Sequence, residues 1–323
     1  MSRRISLSCI LFLLSTVGLA QGQPSNSANK YFEQGTRESN QGDFDRAIAD
    51  FTKAIEISSQ PMHHKEDNDT MRAATNSFST FKDEPSAITI IDPLTAYAFN
   101  GRGFALLKKG NIEQALNDFE RALRIKPNLA DAFVNRGAAR YAQGDADGAM
   151  SDWNRAIEIN SKMAAPYLNR GAAFLHVGKT DEALADLDKA IALDPKEAKA
   201  YGHRGFAWLL RNDFDRAIAD FNDAMKRNPR LSWIFEGRGC VELLRNQLEE
   251  AVADFDQAIA LDPLDAIVYM KRGLALLNQG KAAEALRDFE QAQTIDPSLK
   301  DRLIPYFDAA RSSPPKRVTI RIT

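Results

Sequence analysis

Cysteine and histidine are both scarce in this chain of 323 residues, which holds two of the first and four of the second. The cysteines are Cys9 and Cys240. Cys9 lies in a segment expected to be removed, so Cys240 would stand alone and no internal disulfide could staple the fold. Four histidines, two of them adjacent (His63 and His64), are too few for a multi-histidine metal set, and no metal site is expected. Cys-x-x-Cys, His-Glu-x-x-His, a glycine-rich phosphate loop and any Ser/His/Asp grouping are all missing. These absences argue against an enzyme and against a resident cofactor. An excess of positive charge is missing too: 42 Lys and Arg stand against 44 Asp and Glu, for a net charge of −2. Without Arg3 and Arg4 the balance would sit near −4, so no basic field is available for nucleic acid or for a membrane surface.

What is present begins with an N-terminal export signal. Arg3 and Arg4 form a short basic start, Ile5 to Leu19 is an apolar run, and Gly18 and Ala20 supply the small residues a signal peptidase needs. Cleavage is expected before Gln21, making residues 1–20 a signal peptide. The run is shorter than the ~20 apolar residues of a spanning helix and is broken by Ser6, Ser8, Ser15 and Thr16. No membrane contact is expected after cleavage. The mature chain would be periplasmic in a bacterium and otherwise secreted.

A strict period of 34 residues organises the rest. Gly103, Gly137, Gly171, Gly205, Gly239 and Gly273 mark it, each preceded by an arginine: Arg102, Arg136, Arg170, Arg204, Arg238 and Arg272. Four residues before each glycine stands an aromatic, from Phe99 to Tyr269. Twelve after it stands an alanine, and four further on a bulky apolar residue: Phe119, Trp153, Leu187, Phe221, Phe255 and Phe289. Tyr31, Gly35, Gly42, Ala47, Asp50, Phe51 and Ala54 fit the same template upstream, giving a seventh copy. Apolar residues recur at three and four within each half-unit, which is helical periodicity. Glycine and alanine let two helix backbones approach, and the bulky residues fill the space beside them. Gly110, Gly144, Gly178 and Gly280, with Asn212 and Asn246 in the same column, suit the left-handed end of a first helix. Pro127, Pro195, Pro229, Pro263 and Pro297 close most units, where proline ends one helix and suits the start of the next.

These residues resemble the tetratricopeptide repeat family, with Asn135-Arg136-Gly137 and Asn169-Arg170-Gly171 similar to its Asn-Arg-Gly variant. The resemblance covers residues 28–59 (repeat 1) and 94–297 (repeats 2–7). It implies an all-α fold, a right-handed α-solenoid of seven helix-turn-helix repeats. Residues 298–311 read as a capping helix, with Leu299, Leu303, Ile304 and Phe307 covering the last repeat. Residues 312–323 form a basic tail. Residues 60–93 break the pattern and read as an inserted loop, or else a degenerate repeat. His63, His64, Asp67 and Asp69 within it lack a helical ligand spacing and read as solvated loop.

The recurrent arginines match recurrent aspartates, Asp118, Asp152, Asp186, Asp220, Asp254 and Asp288, and a feature present in every unit is structural. The first repeat carries Gln34 in place of arginine yet keeps Asp50. The expectation is therefore an Arg–Asp ladder in which each arginine reaches back to the preceding repeat, Arg102 to Asp50.

In the family the first helix of each repeat lines a concave groove, and the positions that vary between repeats should face it. Asn135, Asn169, Lys199, His203, Trp233 and Lys271 are the expected peptide contacts. The family's carboxylate clamp asks for asparagine one residue after the glycine. Phe104, Ala138, Ala172, Phe206, Cys240 and Leu274 stand there, so no such clamp is expected. Cys240 in that column reads as a small buried apolar side chain. The resemblance implies a non-catalytic scaffold binding a protein or extended peptide. The alternative is a structural or self-assembling homo-oligomeric subunit of a cell-envelope complex.

Overall fold

A computed structural model describes residues 26–59 and 92–312. The expected signal peptide, residues 60–91 of the insertion (with His63, His64, Asp67 and Asp69) and the tail beyond Ser312 lie outside the described residues. The described chain forms fifteen α-helices and one short 3-10 turn. In unit 1, residues 1–149, these are α1 (Asn26–Gln41), α2 (Phe44–Ser58), α3 (Pro93–Lys108), α4 (Ile112–Ile125) and α5 (Ala130–Gln143). The helix α6 (Ala146–Ile159) runs across the boundary. Unit 2, residues 150–323, holds α7 (Ala164–His176), α8 (Thr180–Leu193), α9 (Ala198–Leu210), α10 (Phe214–Arg227), α11 (Ser232–Leu244), α12 (Leu248–Leu261), α13 (Ala266–Asn278), α14 (Ala282–Ile295) and α15 (Lys300–Arg311).

Within each unit the helices form hairpins, α1 with α2, α3 with α4, and from α7/α8 to α13/α14. The second helix of each hairpin packs on the first helix of the next. That includes α2 on α3, so the hairpins flanking residues 60–91 are direct neighbours. First helices of successive repeats also touch, α1 with α3, α3 with α5, and α7 through α13 in order. The chain is an all-α repeat array.

The glycine period explains the close hairpins. A Cβ on Gly103 would lie 2.7 Å from the Phe119 ring, and one on Gly273 only 2.5 Å from Phe289. Gly205 and Gly239 stand in the same way against Phe221 and Phe255, at 2.9 and 2.8 Å. Those four rings are fully buried, each contributing about 1.5–3 kcal/mol by its transfer from water. The mid-hairpin turns need a left-handed residue, and Asn212 and Asn246 supply it at φ 57° and 59°. Asp43 and Asp213 cap α2 and α10, accepting from the backbone N–H of Arg46 and Arg216 at 3.3 and 3.2 Å.

The Arg–Asp ladder exists with a different pairing. Arg102 forks onto Asp118 of its own hairpin, Nε to Oδ2 at 2.7 Å and Nη2 to Oδ1 at 2.8 Å, and does not reach Asp50. Arg170 takes Asp186, Arg204 takes Asp220, Arg238 takes Asp254 and Arg272 takes Asp288 in the same way. The arginine sits beside the glycine where the two helices of one hairpin come closest, so its own second helix presents the carboxylate. The link to the preceding repeat is the remaining Nη1, which donates to Thr52 from Arg102, Asn154 from Arg170, Asp188 from Arg204, Asn222 from Arg238 and Asp256 from Arg272. Arg136 and Asp152 stand in the same columns on either side of the unit boundary.

Repeat 1 lacks this fork. Asp50 is buried, Gln34 binds Glu38 at 3.5 Å, and the Glu38 Oε2 is buried with no hydrogen-bond partner. Desolvation, countered by the Gln34 hydrogen bond and reinforced by the Asp50 charge, raises Glu38 above its ordinary 4.5.

At the other end, Leu299, Leu303 and Phe307 of the cap are buried, while Ile304 is 49% exposed and lines a shallow surface cavity with Glu290 and Gln293 of α14. The cap starts with a 3-10 turn at Pro297–Leu299, and residues 303 and 307, one turn apart on α15, share its buried side.

Candidate functional site

The first helices carry the expected contacts, and their neighbours already hold most of them. In unit 1, Asn135 on α5 donates Nδ2–H to Asn100 Oδ1 on α3 at 3.0 Å. In unit 2, Lys271 on α13 pairs with Glu236 on α11 at 2.6 Å, both side chains about four-fifths buried. Burial alone would lower the Lys271 ammonium, but the adjacent Cys240 and Glu236 outweigh it and raise it. Burial pushes the Cys240 thiol up, as suits a small core side chain.

His203 on α9 and Trp233 on α11 stack on one another, ring centroids 4.9 Å apart and 24° from parallel. Phe206 stacks with the same indole, ring centroids 6.0 Å apart and 26° from parallel. The indole fits because residue 202 is glycine; a Cβ there would meet it at 2.5 Å. Burial, and then the positive fields of His176 and Lys199, hold the His203 imidazole down to about 4, so it is neutral at physiological pH.

Asn169 on α7 is half-buried and Lys199 on α9 is exposed. Close by in sequence are the most exposed large apolar side chains of the first helices and their ends, Leu210 at 57% and Val177 at 59%. Asn100, Glu236, Gly202 and Phe206 are the partners that sequence reasoning left out. For Asn100 and Glu236 the signal was a spacing of 35, which sets the third residue before one glycine against the second residue before the next, as in Asn100/Asn135 and Glu236/Lys271. Among the described residues no cluster of His, Cys, Asp and Glu is disposed to hold a metal. No described helix is long and apolar enough to cross a membrane.

Comparison with known proteins agrees with this architecture. Tetratricopeptide-repeat profiles match residues 28–61, 164–197 and 237–299, and a TPR repeat profile matches 103–144. Heat shock protein STI1 of Saccharomyces cerevisiae is 30% identical over 102 residues, 31% of this chain, and the match spans only 17% of that protein. The APC/C hetero-tetramer Cut9–Hcn1 structure aligns over 88% of this chain and 76% of its own, with TM-score 0.63 and 15% identity. A tetratricopeptide repeat protein from Parabacteroides merdae aligns over 88% of this chain and 99% of its own, with TM-score 0.56 and 20% identity. Pseudomonas aeruginosa pilF aligns over 65% of this chain and 92% of its own, with TM-score 0.53 and 21% identity. At these identities the solved structures speak for the fold alone. The four profile matches together cover more than half of the residues, and the chain is a tetratricopeptide repeat protein.

Proposed function

We propose that this protein is an exported, non-catalytic scaffold that holds an extended segment of a partner protein along its row of first helices. The supporting observation is that row itself. In unit 2, α7, α9, α11 and α13 lie side by side, and between their mutually paired side chains they present Asn169, Lys199 and the exposed Leu210. Polar side chains on such a row can hydrogen-bond an extended backbone, and the exposed apolar ones supply the burial that makes association favourable. Cut9, a protein of similar fold, was solved in a hetero-tetramer with Hcn1. The case for export is the basic start, apolar run and small residues of positions 1–20.

The test is affinity capture from a native envelope fraction, comparing wild type with a chain carrying Asn169→Ala, Lys199→Ala and Leu210→Asp. A partner lost only from the variant supports the first-helix face. Retention of every partner overturns it and moves binding to another surface. Light scattering of the mature chain is expected to give a monomer; a stable homo-oligomer favours the structural-subunit reading.

A further inference from the structure

The arginine of each later repeat sits in a slot with a fixed construction. In repeats 2, 4, 5 and 7 its guanidinium lies over the aromatic ring four residues before the glycine, 5.5–5.8 Å from the centroid. The same guanidinium forks onto the aspartate of the second helix. Repeat 6 adds a glutamate, Glu242, whose ionised form is favoured by the charges of Arg245 and Arg238 while Arg238 forks onto Asp254. Repeat 1 repeats that set column for column: Tyr31, Glu38 and Asp50 stand where repeat 6 has Phe235, Glu242 and Asp254. Only the arginine differs, Gln34 standing in the column of Arg238. The ring tells the same story. Phe99 of repeat 2 carries Arg102 at 5.5 Å and Arg121 at 5.6 Å. On Tyr31 the counterpart of Arg121 is present, Lys53 at 5.1 Å, and the counterpart of Arg102 is the neutral Gln34. Gln34 reaches Glu38 Oε1 only at 3.5 Å, and Glu38 Oε2 is buried with no hydrogen-bond partner. Asp50 is 8% exposed and, among the described residues, faces the Glu38 carboxylate rather than a cation.

We propose that Tyr31, Glu38 and Asp50 receive the arginine side chain of a partner protein docked against the first hairpin. Arginine fits because its planar fork matches the two oxygens of an aspartate, as the other repeats do it, and a lysine ammonium cannot. Tyr31 offers the ring face on which a guanidinium stacks. Two facing carboxylates out of water call for a cation between them. Access is open. The arginines that fill the later slots keep 19–29% of their side chains exposed even with a repeat packed on each side. Among the described residues α1 packs only on α2 and α3, which leaves uncovered the side where the later repeats meet a preceding second helix. Gln34, held by one long hydrogen bond, can swing aside. None of Asn169, Lys199 and Leu210 takes part, so the slot stands or falls apart from the docking face of unit 2.

Carbon NMR of the full mature chain, labelled at the aspartate side-chain carboxyls, tests this at neutral pH with acetyl-arginine-amide as the probe and acetyl-lysine-amide beside it. The arginine probe is expected to shift the Asp50 resonance to saturation, with half the effect at about 1–10 mM. The lysine probe should act at least about fivefold more weakly. Asp254, already forked by Arg238, should not move. Gln34→Arg fills the slot from within the chain and should abolish the response while keeping the fold. Tyr31→Leu should weaken it about two- to fivefold through the lost ring face. No shift of Asp50 in wild type, an equal response to the lysine probe, or a response that persists in Gln34→Arg overturns the proposal. An equal shift of Asp254 marks loose association with any carboxylate and overturns it as well.

Discussion

The guanidinium of Arg204 makes two kinds of bond, and their burial makes them unequal. Its fork holds Asp220, whose side chain is 7% exposed, while its third nitrogen meets Asp188, 57% exposed. Arg204→Met should leave Asp220 charged and buried without its partner, at a cost of about 3 kcal/mol. Asp188→Asn should cost under about 1 kcal/mol, since an exposed ion pair contributes little. Urea denaturation of both variants measures the contrast; equal losses would mean the inter-repeat bond matters as much as the buried fork. Repeat 1 shows the effect of a missing arginine. The folded state raises Glu38 above its ordinary 4.5 because its buried carboxyl faces Asp50. A raised carboxyl is at home protonated, so its contribution is present below about 4.5 and is lost as pH rises through the folded value. Glu38→Gln should therefore raise Tm near neutral pH and leave it unchanged near pH 4, and Gln34→Arg, which offers Asp50 a fork, should raise it near neutral pH. No gain from either would show that Asp50 is already satisfied. The recurrence of arginine and aspartate was plain in the sequence, but the pairing was not. From Arg136 onward each repeated arginine has one aspartate sixteen residues ahead and another eighteen behind, while Arg102 has Asp118 ahead and Asp50 across the insertion, and only the close crossing of helices in one hairpin selects the first.

At the scale of the helix pair, glycine decides how near the partners lie. Gly237 on α11 is approached from the preceding hairpin, with a Cβ there 2.6 Å from the Phe221 ring and 2.8 Å from Phe206. Alanine favours a helix over glycine by about 1 kcal/mol, yet here it must push two packed rings. Gly237→Ala should cost about 1–3 kcal/mol through overpacking, measured by thermal unfolding; a stabilised variant would mean that the rings yield freely. Asn212→Ala should cost about 1 kcal/mol at its left-handed turn, and Asn212→Gly should not. Hairpin glycines, second-helix aromatics and turn residues were legible because one physical demand recurs in every repeat at the same column. The docking column was less so. Its members answer different demands: Gly101 and Gly237 yield to Phe51 and Phe221, Asn135 and Lys271 bond to the neighbouring helix, and His203 stacks on Trp233. Variation between repeats therefore recorded how neighbours fit as much as what a ligand would meet.

Over the whole of unit 2, each hairpin draws its stability from the hairpins beside it, so damage at one end should remain at that end. The end in question is the cap. Leu303 and Phe307 of α15 are buried against the last repeat, and Tyr306 and Phe307 set their rings 5.7 and 5.8 Å from Phe289 of α14. A chain stopped after Asp296 would return that surface to water, a loss of about 3–6 kcal/mol for the two buried side chains. Pairwise coupling concentrates the loss in α13 and α14, whose amides should exchange faster by hydrogen exchange, with those of α7 to α10 keeping most of their protection. Uniform loss across the unit would contradict nearest-neighbour stability and show a single cooperative core. The uncovered face of Phe289 and Leu299's former site would also be apolar and contiguous, which favours association of truncated chains. Light scattering should therefore rise with concentration for the truncated chain and not for the intact one, and restoring residues 297–312 alone should abolish the rise.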